Sequence, residues 1–435
     1  MMGIINVIKS GGAEEEAFIK KLLSRCMLDD ENIVQSTEKI ISDVKQKGDE
    51  SVIEYTWKFD HVKLNTDEIK VSKHELNEAH SFVDCELKGA IRQALKNVND
   101  FHMKQKENSW IQTGKHGTIT GQIIRPLDKV GVYVPGGTAP LISTVLMNVV
   151  PAKVAGVNDV YIATPPYKDG KINPAILFAA NEAGVDNIYK IGGAQAIAAF
   201  AFGTKQVPKV DKIVGPGNIY VALAKKLVFG YCDIDMIAGP SEIAIIADDS
   251  SNARFLAADL LSQAEHDIMA SAILLTSSQC LAEKVCEEVE RQCSYLERRD
   301  IIEKSLKNYG AIIIVEKIEE AIELANKIAP EHLEICTKEP FAFLSSVKNA
   351  GAIFLGQYSS EPVGDYYAGP SHVLPTGGTA RFFSPLSVDD FIKKSSIVSY
   401  SKTALYESKD DIVRLAAAEG LTAHANAIEV RCGCK

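Results

Sequence analysis

The 435-residue sequence lacks the features that direct a chain into a membrane or out of the cell. No apolar run approaches the roughly 18 residues of a membrane-spanning helix, and the N-terminus shows no cleavage site of a secretory signal. No internal repeat or low-complexity segment stands out. The formal net charge of −10 argues against a nucleic-acid partner, which needs a basic face. We therefore expect a cytoplasmic globular protein without a membrane or nucleic-acid partner.

Paired cysteines are also missing. The nine cysteines are an odd number, and no two of them form a CxxC pair, so we expect reduced thiols. Cys432 and Cys434 are interpreted as an exposed tail, with metal binding or cross-linking as the alternative. Cys336 lies close to His332 in sequence, which suggests a thioester mechanism, but its strand pattern favours buried packing.

The standard glycine motifs for nucleotides, GxGxxG and GxxxxGK[ST], do not occur. Glycine turns lie instead at 135–137, 192–193 and 215–217, each after a short apolar run. Between about 122 and 248 the pattern of strand, turn and helix repeats four times, which predicts a doubly wound parallel sheet. Ligands bind such sheets at the carboxyl ends of the strands, where these turns lie. The spacing alone leaves nucleotide binding open.

The rest of the chain predicts further helices and strands. The first hundred residues predict amphipathic helices, and a second α/β stretch follows from 242 to 355. A helix from Ser143 to Ala155 is predicted to be interrupted by Pro151. Residues 364–378 read as a loop, and a C-terminal helix is expected over 411–426. The length predicts two or three domains.

Histidine is scarce, with nine in the chain, yet four histidines lie beside an acid or an amide. Neutral imidazole, carboxylate and amide oxygen are ligands of catalytic zinc, and Glu–His pairs transfer protons near neutral pH. Taken singly, Gln263 with His266 and Glu331 with His332 are more often ordinary surface residues. The four pairs are Gln263 with His266, Glu331 with His332, Asp365 with His372, and Glu419 with His424.

The spacing within these pairs allows their side chains to share a site. Gln263 and His266 are one helical turn apart, so both can bind one metal ion. Asp365 and His372 lie in a long glycine- and proline-rich loop, and long structured loops are more often functional. Gly420 breaks the last helix inside the fourth pair, so its two members can still converge.

Together these segments resemble the histidinol dehydrogenase family from about residue 30 to 431. Eight strings in the family's order carry the resemblance. They are PGGTAPLISTVLMN at 135–148, GGAQA at 192–196, VGPGN at 214–218, AGPSE at 238–242, LSQAEHD at 261–267, APEHL at 329–333, the stretch 361–375, and AAAEGLTAH at 416–424.

The resemblance implies oxidation of L-histidinol through L-histidinaldehyde to L-histidine, the last steps of histidine biosynthesis, with two NAD+ and one zinc per site. It implies zinc ligands Gln263, His266, Asp365 and His424. It implies an acid–base pair, Glu331 and His332, and NAD contacts at Tyr133, Gln195 and Asn218. The implied substrate contacts are Ser143, Ser241, Gln263, His266, His332, Asp365, His372, Glu419 and His424. The family is a homodimer, so Glu419 and His424 are expected to complete the partner's site.

The same resemblance implies the architecture. We expect an α/β protein with two Rossmann-like, doubly wound parallel-sheet domains, similar to aldehyde dehydrogenases, and small helical N- and C-terminal segments. The expected divisions are an N-terminal helical segment at 1–29, a catalytic and metal-binding domain at 30–129 with 237–384, an NAD-binding domain at 130–236, and a C-terminal segment exchanged within the dimer at 385–435.

Other functions stay open at this point. Nitrogen and oxygen ligands also accept Mn or Co. A related zinc alcohol dehydrogenase would act on another polar diol or amino alcohol. A zinc hydrolase would use Glu331 with a metal-bound water and would not reduce NAD+. A non-enzymatic binding protein is less favoured, because the acid–base groups would then have no task.

Overall fold

The computed structural model describes residues 4–25, 30–136 and 140–433. Packing divides the chain into two compact units. The first unit comprises residues up to 105 together with 127–391, and the second comprises 106–126 with 392–433. Of the features discussed above, Gly137 and Cys434 lie outside the described residues. Cys432, expected in an exposed tail, is buried.

Fourteen strands occur in the described residues. They are β1 Asn6–Lys9, β2 Trp110–Thr113, β3 Ile119–Pro126, β4 Lys129–Tyr133, β5 Asp159–Thr164, β6 Ile188–Lys190, β7 Lys212–Val214, β8 Asp233–Ile234, β9 Glu242–Ala247, β10 Ser271–Thr276, β11 Gly310–Ile314, β12 His332–Cys336, β13 Ala352–Leu355 and β14 Ile392–Ser399.

Sixteen α-helices occur in the same residues, besides short helical turns. They are α1 Ala13–Ser24, α2 Glu31–Lys47, α3 Asp49–Asp60, α4 Lys73–Phe82, α5 Cys85–His102, α6 Ile142–Ala155, α7 Pro174–Glu182, α8 Gly193–Phe202, α9 Ile219–Val228, α10 Ala253–Ala264, α11 Gln279–Cys293, α12 Arg299–Tyr309, α13 Ile318–Ile328, α14 Glu361–Val363, α15 Lys402–Ala418 and α16 Thr422–Glu429. None of these helices combines the length and the apolar character that crossing a membrane requires.

The larger sheet of the first unit has the strand order β1-β11-β10-β9-β12-β13, and all neighbours are parallel. Every residue of β9 and β10 is buried, as expected for strands covered by helices on both faces. Ile243 and Ile245 pack with α10, α11 and α12 on one face. Ala244 and Ile246 pack with α1 and α13 on the other face.

The second sheet of the first unit has the order β6-β5-β4-β7-β8, again with parallel neighbours. The chain forms β4, β5 and β6 in one direction and then returns to place β7 on the other side of β4. Such a reversal leaves a crevice at the carboxyl ends of the strands, next to β4 and β7, where ligands bind.

The second unit contains an antiparallel sheet of order β14-β3-β2 together with α15 and α16. Its C-terminal part is two helices, as the break expected at Gly420 within the helical stretch 411–426 predicts. Gly420, with a φ of +75°, separates them. This φ lies in the left-handed region that glycine adopts without steric cost.

The predicted α/β architecture with parallel sheets is confirmed. Both chain ends contain more than the expected helices. Residues 6–9 form β1, which extends the six-stranded sheet, and residues 392–399 form β14 of the antiparallel sheet. β14 contains no buried residue, so its sequence lacks the apolar pattern that predicts a strand. The division into catalytic, NAD-binding and exchanged segments stays a prediction.

The interruption predicted at Pro151 is wrong, because α6 runs continuously from Ile142 to Ala155. Proline has no amide hydrogen for the carbonyl of Met147 four residues earlier. The buried Ser371 hydroxyl donates to that carbonyl instead, at 3.4 Å. A contact from a distant loop therefore satisfies the group that the proline leaves without a helical partner.

Candidate active site

The backbone of Glu242, at the start of β9, hydrogen bonds to both Glu331 and His332. Glu331 directly precedes β12, and the parallel register sets the start of β12 beside the start of β9, where Glu242 lies. The Glu242 amide donates to Oε2 of Glu331 at 2.9 Å. Nδ1 of His332 lies 3.0 Å from the Glu242 carbonyl. Because a carbonyl only accepts, Nδ1 carries a proton, and Nε2 is the nitrogen that can gain or lose one.

His332 lies between two carboxylates in a buried setting. Its Nδ1 is 3.8 Å from Oε2 of Glu331, and its Nε2 is 3.6 Å from Oδ1 of Asp365. Burial alone would lower the pKa of His332, but these two carboxylates raise it to about 10. Burial raises the pKa of Glu331 to about 7. Groups with displaced pKa values in direct contact are typical of acid–base sites.

The segment from Glu361 to His372 carries two acids of this cluster, Asp365 and Glu361. The Glu361 amide, at the start of α14, donates to Oε1 of the buried Glu334 at 2.8 Å. Nδ1 of His372 lies 3.1 Å from the Asp365 carbonyl, which fixes the loop on itself. Ligand atoms of His332, Glu361 and Asp365 all lie within 4.8 Å of one another. Imidazole and carboxylate groups at this spacing can hold a metal ion such as zinc.

Gln263 and His266 lie at the end of α10. The Gln263 side chain is fully buried, and neither its amide oxygen nor its amide nitrogen has a hydrogen-bond partner. Burying an amide without hydrogen-bond partners costs free energy, so the unpaired atoms of Gln263 indicate that a ligand binds there. Desolvation lowers the pKa of His266, the charge of Asp365 partly offsets this effect, and His332 also acts on it. His266 therefore belongs to the same electrostatic cluster.

A cavity of about 900 Å³ lies beside this cluster. Its walls include residues that follow β4, β5, β6 and β7, as expected for the crevice of the five-stranded sheet. The three predicted NAD contacts all line it, together with residues from the other side of the cavity. These lining residues are Tyr133, Gln195 and Asn218, and from the other side Glu265, His266 and Tyr366.

Polar groups in this cavity are arranged to receive a ligand. The Tyr133 hydroxyl accepts from the Gly193 amide at 3.0 Å, which leaves the hydroxyl hydrogen for another acceptor. Gln195 is 1% exposed, and both polar atoms of its side chain lack a partner. Gly192, before α8, supplies no capping side chain. The first amides of that helix are therefore suited to an anion such as a phosphate.

The family assignment rests on a match over nearly the whole chain. The model of the histidinol dehydrogenase family matches residues 23–432. The chain belongs to the histidinol dehydrogenase family. The family predicted from the sequence is thus confirmed.

Individual members of the family are similar over almost their full length. The histidinol dehydrogenase of Clostridium acetobutylicum is 56% identical and covers 99% of this chain and 100% of its own. That of Geobacillus kaustophilus is 57% identical, over 90% of this chain and 92% of its own. The crystal structure of histidinol dehydrogenase from Elizabethkingia anophelis has a TM-score of 0.94 at 40% identity, over 100% of this chain and 99% of that one.

The family resemblance implies four further site residues, and the structure gives their positions within each unit. Ser143 lies half-buried in the first turn of α6, and Ser241 directly precedes β9. Glu419 and His424 lie in the second unit, at the end of α15 and within α16, and both are exposed. The substrate roles of these residues, and the role of His424 as a metal ligand, stay predictions.

Three acids of the site were not anticipated from the sequence. Glu242 acts through its backbone, which leaves no sequence signal, whereas Glu361 could have been noticed four residues before Asp365. Glu334 hydrogen bonds with Asp259, and burial raises the pKa of both carboxyls, that of Asp259 to about 6. This buried pair anchors α14 and thereby the segment that carries Asp365.

Cys336 is part of β12 and is buried. Burial raises the pKa of its thiol, and the charge of Glu334 raises it further. A nucleophilic cysteine needs the opposite, a lowered pKa that yields thiolate near neutral pH. The structure therefore supports buried packing over a thioester mechanism.

Proposed function

We propose that this protein is a zinc- and NAD-dependent dehydrogenase that oxidises L-histidinol through L-histidinaldehyde to L-histidine, the last steps of histidine biosynthesis. The observation that carries the proposal is the pair Glu331 and His332. Both side chains are fixed by the backbone of Glu242, and Nε2 of His332 lies 3.6 Å from Asp365. Membership of the histidinol dehydrogenase family supports the substrate.

Zinc is proposed because the donors fit it. Gln263, His266 and Asp365 offer an amide oxygen, an imidazole and a carboxylate, which catalytic zinc accepts. The partnerless amide of Gln263 is the structural sign that a ligand belongs there. His424 of the partner subunit would complete the set. When bound, zinc would hold the amine and imidazole of the substrate and so orient the carbon that is oxidised.

NAD+ is proposed for the cavity lined by Tyr133, Gln195 and Asn218. The partnerless Gln195 amide and the uncapped start of α8 fit a ligand with hydroxyl and phosphate groups. When bound, NAD+ accepts the hydride.

The acid–base steps follow from the positions of Glu331 and His332. After Nε2 of His332 has released its proton to solvent, it would accept the alcohol proton, and bound NAD+ would take the first hydride. Glu331 would take a proton from the water that adds to the aldehyde and return it to the carbonyl oxygen, which gives the gem-diol. His332, having passed the first proton to solvent, would take a proton from the gem-diol, and a second bound NAD+ would take the second hydride, which leaves the carboxylic acid of histidine. Two hydrides and one water thus account for the conversion of the alcohol to the acid.

The remaining assignments complete the proposal. Ser143, Ser241 and His372 would contact the substrate within one subunit, and Glu419 and His424 would come from the partner subunit. The enzyme would be a cytoplasmic homodimer without a nucleic-acid or membrane partner. Its domains would be those expected from the resemblance, with NAD+ in residues 130–236 and the metal in the discontinuous domain.

The test is the stoichiometry of hydride transfer. Zinc-loaded protein receives limiting L-histidinol and excess NAD+, and NADH absorbance is followed to completion. We expect two NADH per histidinol, formation of histidine, and almost no activity in His332→Asn. His74→Asn, which changes an exposed histidine of α4, should behave as wild type.

Other results would each exclude the proposal. One NADH with released aldehyde would mean a simple alcohol dehydrogenase and would remove the role of Glu331 in hydration. No NADH from histidinol, with activity on other alcohols, would mean a different substrate. Product without NADH would mean hydrolysis.

A further inference from the structure

Asp60 lines the cavity, and one oxygen of its carboxylate has no hydrogen-bond partner. It is the last residue of α3, and the next residue, His61, adopts a left-handed conformation with a φ of +59° that ends the helix. The Asp60 side chain lines the cavity. Its Oδ2 is buried and has no hydrogen-bond partner.

The surroundings compensate only partly for the burial of Asp60. Burial raises the pKa of Asp60 to about 6, and the neighbouring His61 lowers it only in part. An ionised carboxylate has no hydrogen to donate, so it can only accept hydrogen bonds. A buried acceptor without a donor is unfavourable unless a ligand brings the donor.

The position of Asp60 beside the five-stranded sheet indicates which part of a ligand it would contact. A side chain at Gly192 would have its Cβ 2.7 Å from Pro165 and 3.5 Å from both carboxylate oxygens of Asp60. Asp60 therefore lies where β5 and β6 end, on the side of β4 away from β7. In doubly wound sheets, this side holds the adenosine half of a dinucleotide, and an acid after the second strand contacts the ribose 2′-hydroxyl.

Here the second strand of the sheet, β5, supplies no such acid. It ends at Thr164 and is followed by Pro165 and Pro166. Asp60 brings the carboxylate to the same place from a helix outside the sheet. Among the described residues that line the cavity, the permanent cation is Arg298. Arg298 reaches toward the carbonyl of His266, at the catalytic end.

We propose that Asp60 accepts hydrogen bonds from the adenosine ribose of NAD+ and repels the 2′-phosphate of NADP+, so that it sets the choice between the two dinucleotides. This inference rests on the proposed use of NAD+. The acceptor matches the two ribose hydroxyls, which are donors, and its negative charge opposes a phosphate at the same position. The residue acts on binding of the cofactor and takes no part in proton transfer.

The test is calorimetric binding of NAD+ and NADP+ to wild type, Asp60→Asn and Asp100→Asn. Asp100 is an exposed acid of α5, so its variant removes the same charge outside the cavity. We expect Asp60→Asn to bind NAD+ about tenfold more weakly, the effect of losing a charge-assisted hydrogen bond. Asp60→Asn should bind NADP+ as tightly as wild type or more tightly. Its preference for NAD+ over NADP+ should therefore be smaller than that of wild type by at least about tenfold. Asp100→Asn should match wild type.

A second measurement needs no variant. Wild type should bind NAD+ that lacks the adenosine 2′-hydroxyl about tenfold more weakly than NAD+. If wild type reduces NAD+ but Asp60→Asn keeps the same preference, or if the deoxy compound binds equally well, the inference is wrong and the proposed function stands. If wild type binds neither dinucleotide, both are wrong.

Discussion

The buried carboxyl of Asp60 should make stability depend on pH. Its pKa is raised from 3.8 to about 6 by burial, whereas the unfolded chain releases the proton near the ordinary value. Between about pH 4 and pH 6, the unfolded state therefore binds fewer protons than the native state, and stability contributed by the protonated group is lost as the pH rises. Above pH 6 the native protein carries the full cost of the ionised group.

Asp60→Asn removes this ionisation while keeping the shape of the side chain. We expect the variant to melt about 1–3 °C above wild type at pH 8, because 1 kcal/mol moves the Tm of a long chain by only a few degrees. The difference should shrink toward zero at pH 4.5. Thermal melts of both proteins at the two pH values measure it, with Asp100→Asn as the control. An equal difference at both pH values would contradict the assigned ionisation.

Gly215 allows a test of backbone crowding at the cavity. Its φ is +114°, and a Cβ there would lie 2.1 Å from the carbonyl oxygen of Tyr133. Gly184, with a φ of +79°, has nothing within 4 Å of the same point. Gly184→Ala should therefore lower the free energy of unfolding by about 1–2 kcal/mol, the steric cost of a left-handed residue with a side chain. Gly215→Ala should lower the free energy of unfolding, measured in urea, by more than that. Equal decreases for the two variants would show that the backbone at Gly215 shifts to avoid the clash at little energetic cost.

Residues could be predicted from the sequence where side chains carry the signal. Glu331, His332, Asp365 and His372 each occur in a recognisable segment, and the fold brings them together. Glu242 contributes its backbone amide and carbonyl, which any residue at that position would supply. Its importance depends on the register of β9 and β12, and one sequence does not specify which strands are neighbours.

At the scale of elements, α1 supports Glu331 and His332 through one buried ion pair. The Arg25 guanidinium, just beyond α1, lies 2.5 Å from Oε1 of Glu242, and both side chains are nearly inaccessible. Burial raises the pKa of Glu242, and Arg25 partly offsets this effect. Because the backbone of Glu242 bonds to Glu331 and His332, a shift at the start of β9 would displace both side chains.

Arg25→Met should therefore lower stability by about 3–5 kcal/mol, because a buried carboxylate loses its partner. If the protein still folds, kcat should fall more than KM rises, since the catalytic pair moves and the cavity is unchanged. Urea unfolding and steady-state kinetics measure the two effects. The double variant Arg25→Met with Glu242→Gln should recover much of the stability, because it leaves no unpaired charge. A single variant as stable as wild type would show that the ion pair does not anchor β9.

The elements found by sequence pattern share one physical property. β9 and β10 are continuous apolar runs, because helices cover both of their faces. β2 and β14 have no buried residue, so nothing in their hydrophobicity distinguishes them from loops. Strands whose residues stay exposed in one chain are stabilised by pairing alone, and periodicity cannot reveal them.

At the scale of the whole molecule, the second unit exposes many large apolar side chains. Trp110, Ile111, Val398, Tyr400 and Leu415 are each more than half exposed. A group of apolar residues of this size on a small unit is typical of an interaction surface. The proposed homodimer gives this surface a partner. It also accounts for the exposure of Glu419 and His424, which would reach the neighbouring site.

Mixed dimers decide whether His424 acts in the partner's site. His332→Asn and His424→Asn should each be nearly inactive alone. In a heterodimer of the two, one site contains both changes, while the other combines an intact His332 with an intact His424 of the partner subunit. Co-refolding equal amounts should therefore restore about a quarter of the wild-type rate by random pairing of subunits.

The control mixture is Glu331→Gln with His332→Asn. These two changes lie in the same subunit's part of the site, so every site of their heterodimer stays defective and the mixture should remain inactive. Differently tagged subunits, purified through both tags, show whether heterodimers have formed. If such heterodimers of His332→Asn and His424→Asn form but are inactive, His424 serves the site of its own chain. The exposed helices of the second unit would then need another partner.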